Sequence, residues 1–300
     1  MILVVGSTGM LGSEICRRLA ARGEHVRALV RSGSAPTMVA ALHSYGTETV
    51  VGDLRDRASL EAACAGIDTV VTTASAMPFS YVAGDNDIQA VDLDGSTRLV
   101  DVAARAGVSH IIYTSFSANF EQPNELRDAK RAVEATLRGS GVPYTILHPS
   151  AFMEAWLSPI VGFDYPNATA TIYGEGTAPV SYIARADVAE FAVQSALDPA
   201  ARNRVLELGG PEPISQLGAV AIFERVSGRT FDVINVPVDA LRVQFATATD
   251  KMAKAFAGLM LGVAEGDRID MSGLLSWIPL ELTSVTEYAE RVLGKVAAGA

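Results

Sequence analysis

Apolar positions fall in short runs separated by longer amphipathic stretches. Ile2–Val5, His25–Val30, Thr47–Val51, Asp68–Thr73, His110–Thr114 and Tyr144–Leu147 read as strands. Leu11–Ala21, Ala58–Ala65, Gly95–Ala106 and Glu125–Arg138 carry helical spacing between them. Short, continuously apolar strands are buried on both faces, and their alternation with helices builds βαβ units. The pattern predicts an α/β fold: a doubly wound parallel sheet covered on both sides, without internal repeats or a low-complexity linker.

The rhythm changes after Pro149. Ser158–Pro179 is rich in Gly, Pro, Asn and Thr and predicts loops and short strands. Ser181–Ile183 leads into a helix at Asp187–Leu197, and Arg204–Leu208 is a further strand before Gly209-Gly210-Pro211. A helix from Ile214 to Val226, a strand at Phe231–Val236 and a mostly helical tail closing with Ser284–Leu293 complete the chain. This divides it into residues 1–150, the main sheet domain, and 151–300, a smaller lobe that returns to the main sheet at approximately 181–210.

The 300 residues are 49% hydrophobic and 19% charged, the balance of a globular chain. A net charge of −10 argues against nucleic acid and anionic membranes as partners. Ala255–Ala264 is the longest late apolar stretch, about half of a membrane span. Cys16 and Cys64 are too few for a disulfide framework and fit a reducing compartment. The opening residues show no basic leader or cleavage site, so the expected location is cytoplasmic. The four histidines are scattered and the cysteines lack ligand spacing, so no metal site is expected.

The strongest chemical signal is Gly6-Ser7-Thr8-Gly9-Met10-Leu11-Gly12, between the first strand and the first helix. Glycines there permit a tight turn, close approach of a pyrophosphate and close helix packing, and the helix N-terminus attracts the phosphates. The spacing is G-x-x-G-x-x-G rather than G-x-G-x-x-G. No acidic residue follows the second strand between Val26 and Val39, and Arg31 stands at its end. Arg31 is either a clamp for a 2′-phosphate, which selects NADP over NAD, or a solvated strand-end charge. Asp53 either accepts from an adenine amino group or caps the next turn. Thr73-Ala74-Ser75 ends the fourth strand, where small residues leave room for a ribose.

On the helix at 125–138, Lys130 shares the stripe of Leu126, Val133 and Leu137, while Arg127, Arg131, Glu134 and Arg138 occupy a different arc. A lysine on an apolar face either snorkels or meets a partner such as a ribose hydroxyl. Thr114-Ser115-Phe116-Ser117 brings hydroxyls to the same crevice. Phe116, Met77, Phe79, Tyr81, Phe152, Met153 and Trp156 lie in segments that either line a pocket for a flat apolar substrate or pack the core.

These features resemble the NmrA-like branch of the atypical short-chain dehydrogenases/reductases. The likeness runs from the glycine loop through Gly52-Asp53-Leu54, Ala106-Gly107-Val108, Ser115, Lys130, Glu134 and Ser140–Pro149 to Phe152-Met153-Glu154. Asp187-Val188-Ala189 and Leu282-Thr283-Ser284-Val285 also fit. It implies a Rossmann-like fold with a C-terminal substrate lobe, NADP(H) as cofactor and a small-molecule substrate. It also implies cofactor contacts from Gly6, Thr8, Gly9, Met10, Leu11, Arg31, Asp53, Leu54, Ala74, Ser75, Lys130, Pro149 and Phe152. Lys130 and Ser115 then stand at the catalytic end. Relatives in this branch include quinone reductases, triphenylmethane dye reductases, isoflavone-reductase-like enzymes and redox sensors that bind the cofactor without turnover.

One departure matters. Short-chain dehydrogenases carry Tyr-x-x-x-Lys, and here Leu126 stands four residues before Lys130. An ordinary ketone becomes an alkoxide on reduction and needs a good acid. A quinone becomes a phenolate-like oxygen on reduction, whose conjugate acid has a pKa of about 10, and it leaves largely unassisted. The expected function is therefore NADPH-dependent reduction of quinone-like or other conjugated acceptors. The alternative is an NADP(H)-binding regulator that acts on a protein partner.

Overall fold

The computed structural model describes residues 1–77 and 82–298. Twelve strands occur in chain order: β1 (Ile2–Val5), β2 (Val26–Val30), β3 (Glu48–Val51), β4 (Thr69–Thr72), β5 (His110–Thr114), β6 (Tyr144–Pro149), β7 (Phe163–Asp164), β8 (Thr169–Tyr173), β9 (Pro179–Val180), β10 (Arg204–Leu208), β11 (Ile214–Ser215) and β12 (Asp232–Val236). The α-helices are α1 (Met10–Ala21), α2 (Pro36–Ser44), α3 (Arg57–Cys64), α4 (Ser96–Arg105), α5 (Glu125–Gly139), α6 (Met153–Trp156), α7 (Arg185–Leu197), α8 (Gln216–Ser227), α9 (Val238–Thr247), α10 (Lys251–Glu265), α11 (Ser272–Trp277) and α12 (Val285–Ala298). None is long and apolar enough to cross a membrane.

The main sheet has seven strands in the order β10-β6-β5-β4-β1-β2-β3, with parallel pairing from β6 through to β3. The chain starts at the centre of this Rossmann-like sheet and winds outward both ways, so a switch point lies between β1 and β4, where such sheets bind ligands. β1 and β4 are buried at every position, which explains their unalternated Val and Ile runs. Small sheets, β11-β9 and β12-β8-β7, come from the later chain.

The chain divides into two units. The first comprises Met1–Ser115, Glu125–Leu147 and Val188–Leu206; the second takes Phe116–Asn124, His148–Asp187 and the chain from Glu207 onward. Each has its own core. Leu3, Val70, Ile111 and Ile146 centre the first. Phe163, Phe223, Phe231 and Tyr288 centre the second, with the Phe163 and Phe223 rings 4.8 Å apart.

Two elements depart from the sequence pattern. α2 buries only Leu42, so it offers almost no apolar period; Pro36 in its first turn is its one start signal. Ile88–Gly95 is a π-helix capped by Asp87, whose side chain accepts from the Ala90 N–H at 2.9 Å. Its wider turn spoils the 3.6-residue spacing that reveals an α-helix.

Candidate functional site

The glycine loop is closed by the Gly9 N–H donating to the Gly6 carbonyl at 2.9 Å. Gly6 has φ +82°, and a Cβ there would lie 2.8 Å from Thr73 Oγ1 and 2.9 Å from the Ala74 nitrogen. A Cβ on Gly12 would lie 2.3 Å from the Gly6 carbonyl oxygen; one on Gly9 would sit 3.1 Å from the same atom. Gly6 and Gly12 are thus required by backbone packing, and Gly9 less strictly. The buried Ser7 hydroxyl donates to the Leu29 carbonyl at 2.7 Å and ties the loop to β2. The positive end of α1, at Gly9, carries no side-chain cap and no acidic residue in its first turn, which favours an anion there. Thr8 and Leu11 are half-buried and Met10 is exposed. Ala74 and Ser75 are half-buried just beyond β4, and the Ala74 nitrogen stands against this loop at Gly6.

A charged cluster occupies the ends of β2 and β3. Arg31 is exposed and donates from Nη1 to Asn86 Oδ1 at 3.0 Å. Asp53 accepts from Arg55 at Nε (2.9 Å), Nη2 (2.8 Å) and the backbone nitrogen (2.9 Å). The Arg55 hydrogen bonds, followed by the Arg31 charge, hold the Asp53 carboxyl below its ordinary pKa despite partial burial. Its carboxylate caps the turn it opens, as one of the two sequence readings has it. Leu54 packs its side chain in the first core.

Lys130 is 5% exposed, so it does not snorkel. Its ammonium lies 3.2 Å from Asp92 Oδ1 and 5.3 Å from the centre of the Tyr113 ring. Burial works against the charge, but the Tyr113 oxygen and the Asp92 carboxylate outweigh it and hold the lysine pKa above its ordinary value. Burial pushes the Tyr113 phenol up to about 12, against the opposing Lys130 charge. Asp92 comes from the π-helix and is fully buried; its second oxygen accepts from the Ala76 N–H at 3.0 Å. One carboxylate thereby links the end of β4 to Lys130.

Ser115 is buried, and its hydroxyl donates to Glu134 Oε1 at 2.7 Å while accepting from Arg131 Nη1 at 3.3 Å. Glu134 lies on the arc of Arg131 and Arg138 but is buried. It is 2% exposed and pairs with Arg131 at 2.6 Å and Arg138 at 3.3 Å. The helical wheel groups it with these arginines correctly, but its contact with Ser115 draws it inward.

Pro149 and Phe152 belong to the second unit. The Pro149 carbonyl accepts from the Ser117 N–H at 2.9 Å, and Phe152 bridges Ile183. His148 Nδ1 meets Glu207 Oε1 at 2.6 Å. Met153 is fully buried in the second core, whereas Phe116, Phe152 and Trp156 are half-buried. Phe79 and Tyr81 lie outside the described residues. Among the described residues no group of three or more His, Cys, Asp or Glu is placed to hold a metal ion.

Asp92, Tyr113 and Arg55 were not singled out from sequence. Asp92 has a visible signal, a carboxylate between Val91 and Leu93. Tyr113 has none, because its partner Lys130 is distant in the chain, and Arg55 shows only its neighbour Asp53.

Several known proteins resemble this chain. A (4-alkanoyl-5-oxo-2,5-dihydrofuran-3-yl)methyl phosphate reductase from Streptomyces griseus is 33% identical over 259 residues, covering 85% of this chain and 84% of that protein. The photosystem II assembly factor Ycf39 of Trieres chinensis is 28% identical over 81% of this chain and 74% of its own length. The crystal structure of an Escherichia coli NADPH-dependent quinone oxidoreductase complexed with NADPH superposes with a TM-score of 0.79. That likeness spans 98% of this chain and 100% of the other at 23% identity, and it supports the fold. The model of the NmrA-like family matches residues 1–289, and the chain belongs to that family.

Proposed function

We propose that the protein is an NADP(H)-dependent oxidoreductase that reduces quinone-like or other conjugated acceptors. The observation that carries this reading is the Gly6–Gly12 cradle, where a Cβ on Gly6 or Gly12 has no room, beside a helix N-terminus without a side-chain cap and a strand-end arginine. These parts fit a dinucleotide: the loop and α1 hold pyrophosphate, Ala74 and Ser75 leave space for a ribose, and Arg31 faces a 2′-phosphate. NADPH, when bound, supplies a hydride. Lys130 places a fixed positive charge near the end of β4 and stabilises negative charge developing on an acceptor. Ser115, in this reading, supports that end of the site while bound to Glu134. The half-buried aromatics Phe116, Phe152 and Trp156 suit a flat apolar ligand.

The acceptor class follows from proton supply. Leu126 replaces the phenol expected four residues before Lys130, and the Tyr113 hydroxyl is buried and reluctant to release its proton. Acceptors whose reduced oxygen needs no strong acid suit such a site. The net charge of −10 and two buried free cysteines fit a small-molecule enzyme of a reducing compartment such as the cytoplasm. The test is NADPH oxidation against a panel of quinones and azo compounds, with Lys130→Ala beside the wild type. Tight NADPH binding with no turnover on any acceptor would defeat the catalytic reading.

That outcome would favour a second reading, a cofactor-binding regulator of a protein partner. Its specific support is the Asp92 carboxylate, which already occupies the Lys130 charge. It requires a partner captured with NADP but released with NADPH, or the reverse; capture indifferent to cofactor counts against it.

A further inference from the structure

The turn at residues 82–87 engages two arginines at adjacent positions. Arg31 donates to Asn86 Oδ1 at 3.0 Å, and Arg55 Nη1 pairs with Asp85. Residues 85 and 86 are neighbours, so both guanidinium groups converge on one short stretch of chain. The turn is held firmly. Val82 N–H donates to the Asn86 carbonyl at 3.0 Å, Asp85 N–H to the Val82 carbonyl at 3.1 Å, and Gly84 N–H to Asp87 Oδ2 at 3.1 Å. Asp53 completes the cluster, forked by Arg55 and within the field of Arg31. Two cations thus face two carboxylates. One, Asp53, is anchored by three hydrogen bonds; the other, Asp85, has a side chain 69% exposed.

We propose that Arg55 is a second 2′-phosphate ligand beside Arg31, and that Asp85 is an internal anion which the 2′-phosphate displaces from Arg55. This rests on the reading of the loop at Gly6–Gly12 as an NADP(H) site. Arg55 keeps its fork to Asp53, which orients the guanidinium, and exchanges the exposed Asp85 for a phosphate. A phosphate dianion takes charge-assisted hydrogen bonds from two guanidinium groups at once, which a single aspartate does not. A ligand without the 2′-phosphate leaves the Arg55–Asp85 pair undisturbed. The pair therefore takes some affinity from NADPH, whose phosphate must displace Asp85, and leaves NADH affinity unchanged. It also makes Asp85 a residue whose loss improves binding.

The experiment measures affinities of the wild type, Arg55→Gln and Asp85→Asn for NADPH and NADH by fluorescence. Calorimetry with 2′,5′-ADP and 5′-AMP isolates the phosphate from the nicotinamide. Arg55→Gln is expected to weaken NADPH and 2′,5′-ADP about tenfold and to leave NADH and 5′-AMP within about twofold. Asp85→Asn is expected to tighten NADPH and 2′,5′-ADP about two- to fivefold, with NADH and 5′-AMP unchanged. A purely structural role moves phosphorylated and unphosphorylated ligands together, and that result in either variant overturns the proposal. Wild-type preference for NADPH with neither variant altering it overturns the proposal alone. A wild type that binds none of the four ligands overturns the NADP(H) reading with it.

Discussion

Gly12 and Lys130 show how single positions are constrained from opposite directions. At Gly12 the constraint is backbone: a methyl group would press on the Gly6 carbonyl, which is fixed by the Gly9 N–H. Neither atom is the flexible end of a side chain, so relief requires moving α1. Gly12→Ala is expected to cost about 2 kcal/mol of stability and to abolish measurable NADPH binding. Gly9→Ala, with its milder approach, should cost less than about 1 kcal/mol; thermal melts and cofactor titrations of the two variants check the order. At Lys130 the constraint is charge. Asp92→Asn leaves a buried ammonium without its counter-ion and should destabilise by about 3 kcal/mol in urea unfolding. Lys130→Met in the same background should restore most of that loss, because the asparagine then faces no unpaired charge. Additive effects of the two substitutions would show that the ion pair is not the cause.

Among the elements, β5 couples a buried titratable group to the sheet. The Thr145 hydroxyl of β6 donates to the Ala201 carbonyl at 2.7 Å, so the His110 Nε2 beside it, 2.8 Å away, must be the donor. The neutral imidazole therefore carries its proton on Nε2. Burial, followed by the Arg202 charge, lowers its pKa from 6.5 to about 4. Folding favours the neutral form, so this contribution is complete above pH 6.5 and is lost as pH falls toward 4. The loss is about 3 kcal/mol at most. Comparing urea unfolding of the wild type and His110→Gln at pH 7 and pH 4.5 isolates it. The variant should lose less stability on acidification, and parallel losses would remove His110 from the account. The same element scale explains what the sequence could convey. β1, β4 and β5 are legible because burial on both faces makes them runs of Val and Ile. The glycine loop is legible because its constraint is local. The π-helix lacks a helical apolar period, and Asp92 acquires meaning only through Lys130, 38 residues away.

For the whole molecule, the path of the chain bears on cooperativity. It changes unit after residues 115, 124, 147, 187 and 206. β6 and β10 each begin in the first unit and end in the second. Melting either unit therefore removes the ends of two strands from the other. Two native probes separate the units: Cys16 and Cys64 lie in the first, Trp156 and Trp277 in the second. Both thiols are fully buried, and burial pushes their pKa values up to about 12 and about 11. A thiolate is the reactive species, so neither cysteine should react with a thiol reagent in the native protein at pH 8. Labelling then reports unfolding of the first unit, while tryptophan fluorescence reports the second. The shared strands predict one transition, with labelling and fluorescence midpoints coinciding in urea. NADP⁺ at about 100 times its dissociation constant should raise stability by about 2.7 kcal/mol and shift both probes equally. A shift confined to thiol labelling would mean that the units unfold separately, the cofactor stabilising only the unit that carries the glycine loop.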